Sequence, residues 1–158
     1  MKENLHVFID SFKEKYSKDF EYLNLQWINE YFEIEEEDIK ILGNPQRYVL
    51  KQGGEIFFAL EDDKVVGTAA MVHVKDKVFE LSKMAVDINY QGLGIGRKLI
   101  NRCIDFAKNK GTKEVFLITN DKLAPALGLY KSSGFELDED YDDNRYERGN
   151  TKMKLLLK

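Results

Sequence analysis

What these 158 residues lack already narrows the field. A single cysteine, Cys103, cannot close an internal disulfide or gather a thiolate cluster, which excludes a disulfide scaffold and leaves no metal ion expected. Two prolines and no Pro/Ser-rich tract or internal repeat leave no visible linker, so one domain is expected. No apolar run approaches the roughly 20 residues that cross a bilayer. The opening Lys2-Glu3-Asn4 does not read as a signal peptide, so the expectation is a cytoplasmic chain with no membrane partner. An excess of basic charge is also missing. There are 24 Lys and Arg against 28 Asp and Glu, a net charge of −4 that argues against a general nucleic-acid binder. What is present suits a packed core: 43% of residues are hydrophobic, with 10 Phe and 8 Tyr. A chain this long buries roughly 70% of its unfolded surface as one domain.

The charges are segregated along the chain. From Glu21 to Lys40 seven acids face one base, and from Asp138 to Asp143 five of six residues are acidic. Between Gln91 and Lys113 the sign reverses, with Arg97, Lys98, Arg102, Lys108, Lys110 and Lys113 against Asp105 alone. Such runs are solvated faces, or they are a basic zone receiving an anion and acidic rims attracting a cation.

The hydrophobic periods predict a mixed α/β order. His6–Ile9 reads as a short strand, and Phe20, Leu23, Trp27, Ile28, Tyr31 and Phe32 recur at helical spacing. A second helix is predicted over Glu36–Leu42, stopped by Gly43 and an Asn44-Pro45 turn. Glu55–Leu60, Lys64–Val74 and Val78–Val86 form a three-strand meander. Ile95–Lys110 is the best-marked helix, with an apolar stripe of Leu99, Ile100, Cys103, Ile104 and Ala107 and a stop at Gly111. Val115–Ile118 is an unbroken apolar run, as in a strand buried on both faces and parallel to its predecessor. A helix over Leu123–Ser133 and strands over Phe135–Leu137 and Lys152–Leu157 complete the order.

One loop carries a chemical signal. Gln91-Gly92-Leu93-Gly94-Ile95-Gly96-Arg97-Lys98 lies between a predicted strand and a predicted helix. Its alternating glycines bare several backbone N–H groups to an anion, and the helix N-terminus adds about half a positive charge. Arg97 and Lys98 in the first helical turn oppose the helix dipole, a cost that makes sense if a phosphate sits there. The spacing is wrong for a nucleotide P-loop, because Gly92 and Gly96 enclose three residues and Arg97 follows. It is also wrong for a dinucleotide fingerprint, whose third glycine falls at Arg97. A merely structural turn is the bland alternative.

Gln91-x-x-Gly94-x-Gly96 following Met84-Ala85-Val86 resembles the acetyl-CoA pyrophosphate loop of the GCN5-related N-acetyltransferase superfamily. A second segment, Leu127-Gly128-Leu129-Tyr130-Lys131-Ser132-Ser133-Gly134-Phe135, resembles that family's Leu-Tyr-x-x-x-Gly-Phe signature. The resemblance covers about Glu55 to Lys158. It implies a single domain, 1–158, with variable acceptor-side helices over 1–54 and an acetyl-CoA-binding core over 55–158. The implied fold is a central mixed, mostly antiparallel sheet flanked by helices, whose fourth and fifth strands run parallel and splay apart.

The resemblance also implies roles. Backbone groups of Met84, Ala85 and Val86 would serve the pantetheine arm and polarise the thioester carbonyl. The amides from Gly92 through Leu93, Gly94 and Ile95 to Gly96 would hold the pyrophosphate, with Gln91 opening the loop and Arg97 and Lys98 close by. The cofactor would enter between Met84–Val86 and Phe116–Asn120, where Asn120 either bonds pantetheine or caps the next helix. Tyr130 corresponds to the tyrosine that protonates the departing thiolate. A phenol near pKa 10 facing a thiolate near 8.5 is uphill by about 2 kcal/mol. Transfer is therefore expected to accompany C–S cleavage, or to need a lowered phenol pKa.

The acceptor ammonium, with a pKa near 10.4, must lose a proton at a cost of about 4.6 kcal/mol at pH 7. Glu80, in an apolar strand and on the alternation face of Ser82, Met84 and Val86, is the candidate base, with ordered water as the alternative. His73 and Cys103 read as structural, His6 carries no positional signal, Trp27, Tyr31 and Phe32 read as either core or acceptor wall, and Lys83 as undecided. The expected activity is transfer of acetyl from acetyl-CoA to a primary amine of a small molecule or peptide, by direct attack in a ternary complex. The acids near Glu33–Asp38 would favour a cationic acceptor. A catalytically silent acyl-CoA-binding regulator and a protein-docking role for the acidic helices are the rival readings, and a homodimer is left open.

Overall fold

The computed structural model describes residues 6–139 and 148–158. Seven strands form one sheet: β1 Val7–Ser11, β2 Glu55–Glu61, β3 Lys64–Lys75, β4 Val78–Val86, β5 Glu114–Thr119, β6 Glu136–Leu137 and β7 Thr151–Leu156. Their order across the sheet is β1-β2-β3-β4-β5-β7-β6. The pairings are antiparallel except β4 with β5, as the unbroken apolar run of β5 predicts. Among the described residues five α-helices accompany it: α1 Ser17–Tyr31, α2 Glu36–Gly43, α3 Pro45–Tyr48, α4 Ile95–Asn109 and α5 Ala124–Ser132. The fold is the mixed α/β arrangement that the sequence implies.

The sheet separates two cores. On one face Leu99, Ile100, Cys103 and Ala107 of α4 pack on Phe57, Phe79, Leu81 and Met153. On the other, Phe20, Leu23 and Ile28 of α1 and Ile41 and Leu42 of α2 pack on Ile56, Phe58 and Ala70. Each face is sealed by an amphipathic stripe read from the sequence, which is why the element order was legible. Cys103 is fully buried here, and burial pushes its thiol up. The region before Glu55 is more than helices, since β1 pairs along β2 from Val7↔Glu61 to Ser11↔Phe57. Pro45, expected only to mark a turn, starts the short α3, with the Asn44 side chain accepting from the Arg47 N–H.

Two irregularities shape the centre. The β4–β5 ladder runs only from Val78↔Glu114 to Glu80↔Phe116, after which the two strands diverge. In β4 itself, Ser82 opposes Ala70 and Ala85 opposes Thr68, so Lys83 and Met84 together face Ala69. This is a β-bulge, with Lys83 in the left-handed region at φ 51°. The bulge corrects a sequence expectation. Strict alternation puts Glu80, Ser82, Met84 and Val86 on one face, whereas the extra residue moves Met84 and Val86 to the face of Phe79 and Leu81. Glu80 remains on the α1 side.

Candidate active site

The divergence of β4 and β5 opens a cleft of about 650 Å³. Its walls are Glu80–Val86 of β4 and Leu117–Asn120 of β5, and its floor is closed by Leu129 and Tyr130 of α5. Beyond Glu80 and Phe116 the facing strand edges have no ladder partner in each other, so their peptide groups are directed into the gap. A slender ligand with amide groups along its length matches such a slot.

At one end lies the glycine loop. Gly92 and Gly94 take φ 76° and 84°, conformations that cost a side chain but not glycine. Gly94 is the N-cap of α4 and makes no side-chain cap, and the first turn carries no acid. The first-turn N–H groups therefore lack intrahelical partners and face whatever enters the loop. Arg97 donates from Nη2 to Ser132 Oγ at 2.7 Å, bridging α4 to the end of α5. Gln91, Gly92, Gly94, Ile95, Gly96 and Arg97 line the cleft. Leu93 and Lys98, named with them from the sequence, do not line it. Both are exposed, Leu93 in the loop and Lys98 on α4. Gln91 donates from Nε2 to the Val86 carbonyl at 3.2 Å, which ties the loop to the end of β4.

Asn120 lines the cleft but is committed elsewhere. Its Oδ1 accepts from the Lys122 N–H at 2.8 Å, an Asx turn, and its Nδ2 donates to the Arg148 carbonyl at 2.6 Å. The N-cap of α5 is Leu123, so Asn120 is not its cap. Tyr130 is 9% exposed, packs edge-on against Phe135 at 6.2 Å and lines the cleft floor. Burial raises its phenol to about 12. The expected alternative of a lowered phenol pKa is therefore corrected, since desolvation disfavours the phenolate.

The opposite end holds Glu80, 4% exposed, together with Trp27 and Tyr31 of α1 and Phe32 at its C-cap. Trp27 and Phe32 meet edge to face at 6.2 Å. These aromatics were open between core and wall: Trp27 and Phe32 serve as both, whereas Tyr31 is exposed and lines the cleft only. His73 is exposed and stacked on Phe79 at 5.0 Å, away from the cleft.

Sequence reasoning missed one group altogether. Asp38, 0% exposed, binds Lys83 and Arg148, and both cations also line the cleft. Burial pulls the Asp38 pKa upward, but the Arg148 and Lys83 charges outweigh it and hold the carboxyl at about 2. Burial lowers Lys83, against the attraction of Asp38. No motif announces this cluster. Asp38 sits in an acidic run, Lys83 in a strand whose parity is broken by the bulge, and Arg148 in a charged segment without pattern. With Glu35 also paired to Arg148, two acids of that run are neutralised within the chain and do not await a cationic acceptor. In the second acidic run, Asp138 is near Lys152 at 3.5 Å, and residues 140–143 lie outside the described residues. Among the described residues no three His, Cys, Asp or Glu side chains gather as a metal site.

Comparison with known proteins agrees with this geometry. The profile described as "Acetyltransferase (GNAT) family" matches residues 9–135, starting well before the Glu55 limit that the motifs suggested. Human N-acetyltransferase 8B is 36% identical over 93 residues, 55% of this chain and 41% of that protein. The chain thus spans about two fifths of the length of that curated relative. An acetyltransferase of the GNAT family from Staphylococcus aureus superposes with a TM-score of 0.88 at 24% identity, covering 97% of this chain and 100% of its own. The yncA protein of Salmonella typhimurium, solved with its cofactor acetyl-CoA, superposes with a TM-score of 0.76 at 20% identity, over 97% and 95% of the two chains.

Proposed function

The chain belongs to the acetyltransferase (GNAT) family, and from that premise we propose that it transfers an acetyl group from acetyl-CoA to a primary amine by direct attack within the cleft. The observation that carries this reading is the cleft itself: two splayed strand edges leading from a glycine-cradled helix N-terminus to a buried tyrosine and glutamate. Acetyl-CoA supplies the activated acetyl group as a thioester. The relative of known structure that holds acetyl-CoA shares this fold, which supports the same cofactor here.

The chain's own groups divide the work. Loop amides from Gly92 to Gly96 and the α4 N-terminus take the diphosphate, with Arg97 alongside. The free edge of β4 at Met84–Val86 offers N–H donors to the thioester oxygen as it gains charge. Glu80, or a water it holds, takes the proton of the amine nitrogen as the N–C bond forms. Tyr130 gives its hydroxyl proton to the sulfur as the C–S bond breaks.

The order of these last events matters. From a phenol near 12 to a thiolate near 8.5, a separate proton transfer is uphill by about 5 kcal/mol. The phenolic proton therefore moves with C–S cleavage, while the sulfur is gaining charge. Trp27, Tyr31 and Phe32 wall the acceptor side and keep water from the thioester. The test is thiol release from acetyl-CoA over a panel of primary amines. Amine-dependent release supports the reading. Tight acetyl-CoA binding with no turnover on any amine points to an acyl-CoA sensor instead.

A further inference from the structure

The Asp38 cluster takes no part in the proton transfers above, yet it stands at the acceptor end of the same cleft. Asp38 Oδ1 accepts from Lys83 Nζ at 2.6 Å and from Arg148 Nη2 at 2.5 Å. Its Oδ2 accepts from Arg148 Nη1 at 2.7 Å and from the Glu35 N–H at 2.8 Å. Arg148 Nη1 also donates to Glu35 Oε2 at 3.0 Å. Four donors fill the carboxylate, and its two cationic partners are 3% and 11% exposed at the side chain. Charges buried this deeply are costly unless their pairing is complete, as it is here.

Each partner leads to a different wall of the cleft. Lys83 is the bulge residue at φ 51°, a strained conformation for any residue with a Cβ, and its bulge sets how Met84–Val86 face the thioester side. Arg148 lies 5.7 Å over the Trp27 ring, and its carbonyl takes the Asn120 amide at the end of β5. Asp38 itself is fixed to α2 as half of a capping box with Glu35. One carboxylate thus ties the thioester strand, the aromatic wall and the far strand into a single body.

We infer that Asp38 is a positioning residue, which sets the acceptor amine against the thioester by holding Lys83 and Arg148, and through them the β4 bulge and the Trp27 wall. The inference rests on the acetyl-transfer reading for its kinetic arm only. Trp27 is the single tryptophan of the chain, so its emission reports on the wall without any turnover.

The experiment compares Asp38→Asn, which keeps shape and removes charge, with Asp38→Glu and Arg148→Gln. Arg148→Gln leaves Asp38 paired to Lys83 and carries the test if Asp38→Asn does not fold. Expected results are a shift of Trp27 emission in both charge-removing variants and a fall of about tenfold or more in kcat/KM for the best amine of the panel. Acetyl-CoA affinity by calorimetry stays within about twofold, the range in which ground-state cofactor binding is uncoupled from positioning. Asp38→Glu recovers part of the loss. Unchanged emission and unchanged amine kinetics in a folded variant would overturn the inference. So would a loss of acetyl-CoA affinity in step with the amine kinetics, because that marks a general structural role. If the wild-type chain acetylates no amine, the acetyl-transfer reading falls by itself, and Trp27 emission still decides whether Asp38 holds the wall.

Discussion

Glu80 and Tyr130 approach the cleft from different elements, β4 and α5, and burial shapes what each can do. Tyr130 stays protonated at every pH near neutrality because its phenol is held at about 12. It therefore contributes no limb to the pH–rate profile below about pH 11. In the proposed mechanism the acidic limb is set by the amine-side base together with the acceptor ammonium. Glu80→Gln is expected to flatten that limb and lower kcat by about a hundredfold, in the range of general-base removal. The profile of initial rate against pH from 5 to 9 checks it, and an unchanged limb assigns the base to water. Both residues line the cleft, and both were named from the sequence, one through a motif and one as a carboxylate in an apolar strand. The Asp38–Lys83–Arg148 cluster was not, because three residues far apart in sequence meet only through a bulge that no single chain pattern encodes.

Among the elements, the loop into α4 is the one whose backbone carries the proposed diphosphate contact. A Cβ on Gly94 would meet nothing within 4 Å, so the cost of Gly94→Ala is conformational, from φ 84°. That cost is about 1 kcal/mol or more for an L-residue in the left-handed region. If the loop relaxes to a negative φ instead, the N–H groups turn away from the anion. Gly94→Ala is expected to weaken acetyl-CoA binding by about tenfold while lowering thermal stability only slightly. Calorimetric titration of acetyl-CoA beside a melting curve separates the two. The elements themselves were legible because hydrophobic period and glycine or proline punctuation agree for α1, α4, α5 and the β2–β4 meander. The Lys83 bulge was not legible, since a lysine in a strand gives no sign of a left-handed φ. That single residue reversed the face of Met84 and Val86 and left Glu80 on the α1 side.

At the scale of the molecule, the two cores stabilise the sheet and the charges refine it. The net charge of −4 conceals how many charges are spent internally. Asp38 is ionised in the folded chain down to about pH 2, whereas an unfolded aspartate titrates near 3.8. Its contribution to stability is therefore fully present above about pH 4 and is lost as pH falls through 2. It amounts to about 2 kcal/mol. Denaturant midpoints between pH 5 and 2 are expected to drop for the wild type more steeply than for Asp38→Asn, which carries no such proton linkage. Parallel curves would mean that other carboxylates set the acid stability. Charge segregation was legible in the sequence, and the basic stretch begins at the glycine loop. Its acidic counterpart was read as one face, whereas Glu35 and Asp38 of that run are paired to Arg148, because a run of acids on paper does not say which of them find buried cations.

The central claim is acetyl transfer in the cleft between β4 and β5 with Tyr130 as the proton donor to sulfur. The most direct measurement is amine-dependent thiol release from acetyl-CoA by Tyr130→Phe beside the wild type, with acetyl-CoA affinity determined for both. The phenyl ring keeps the packing against Phe135 and removes only the hydroxyl. The account predicts that kcat falls about a hundredfold or more while acetyl-CoA affinity stays within about twofold. A Tyr130→Phe chain that turns over as fast as the wild type would contradict it.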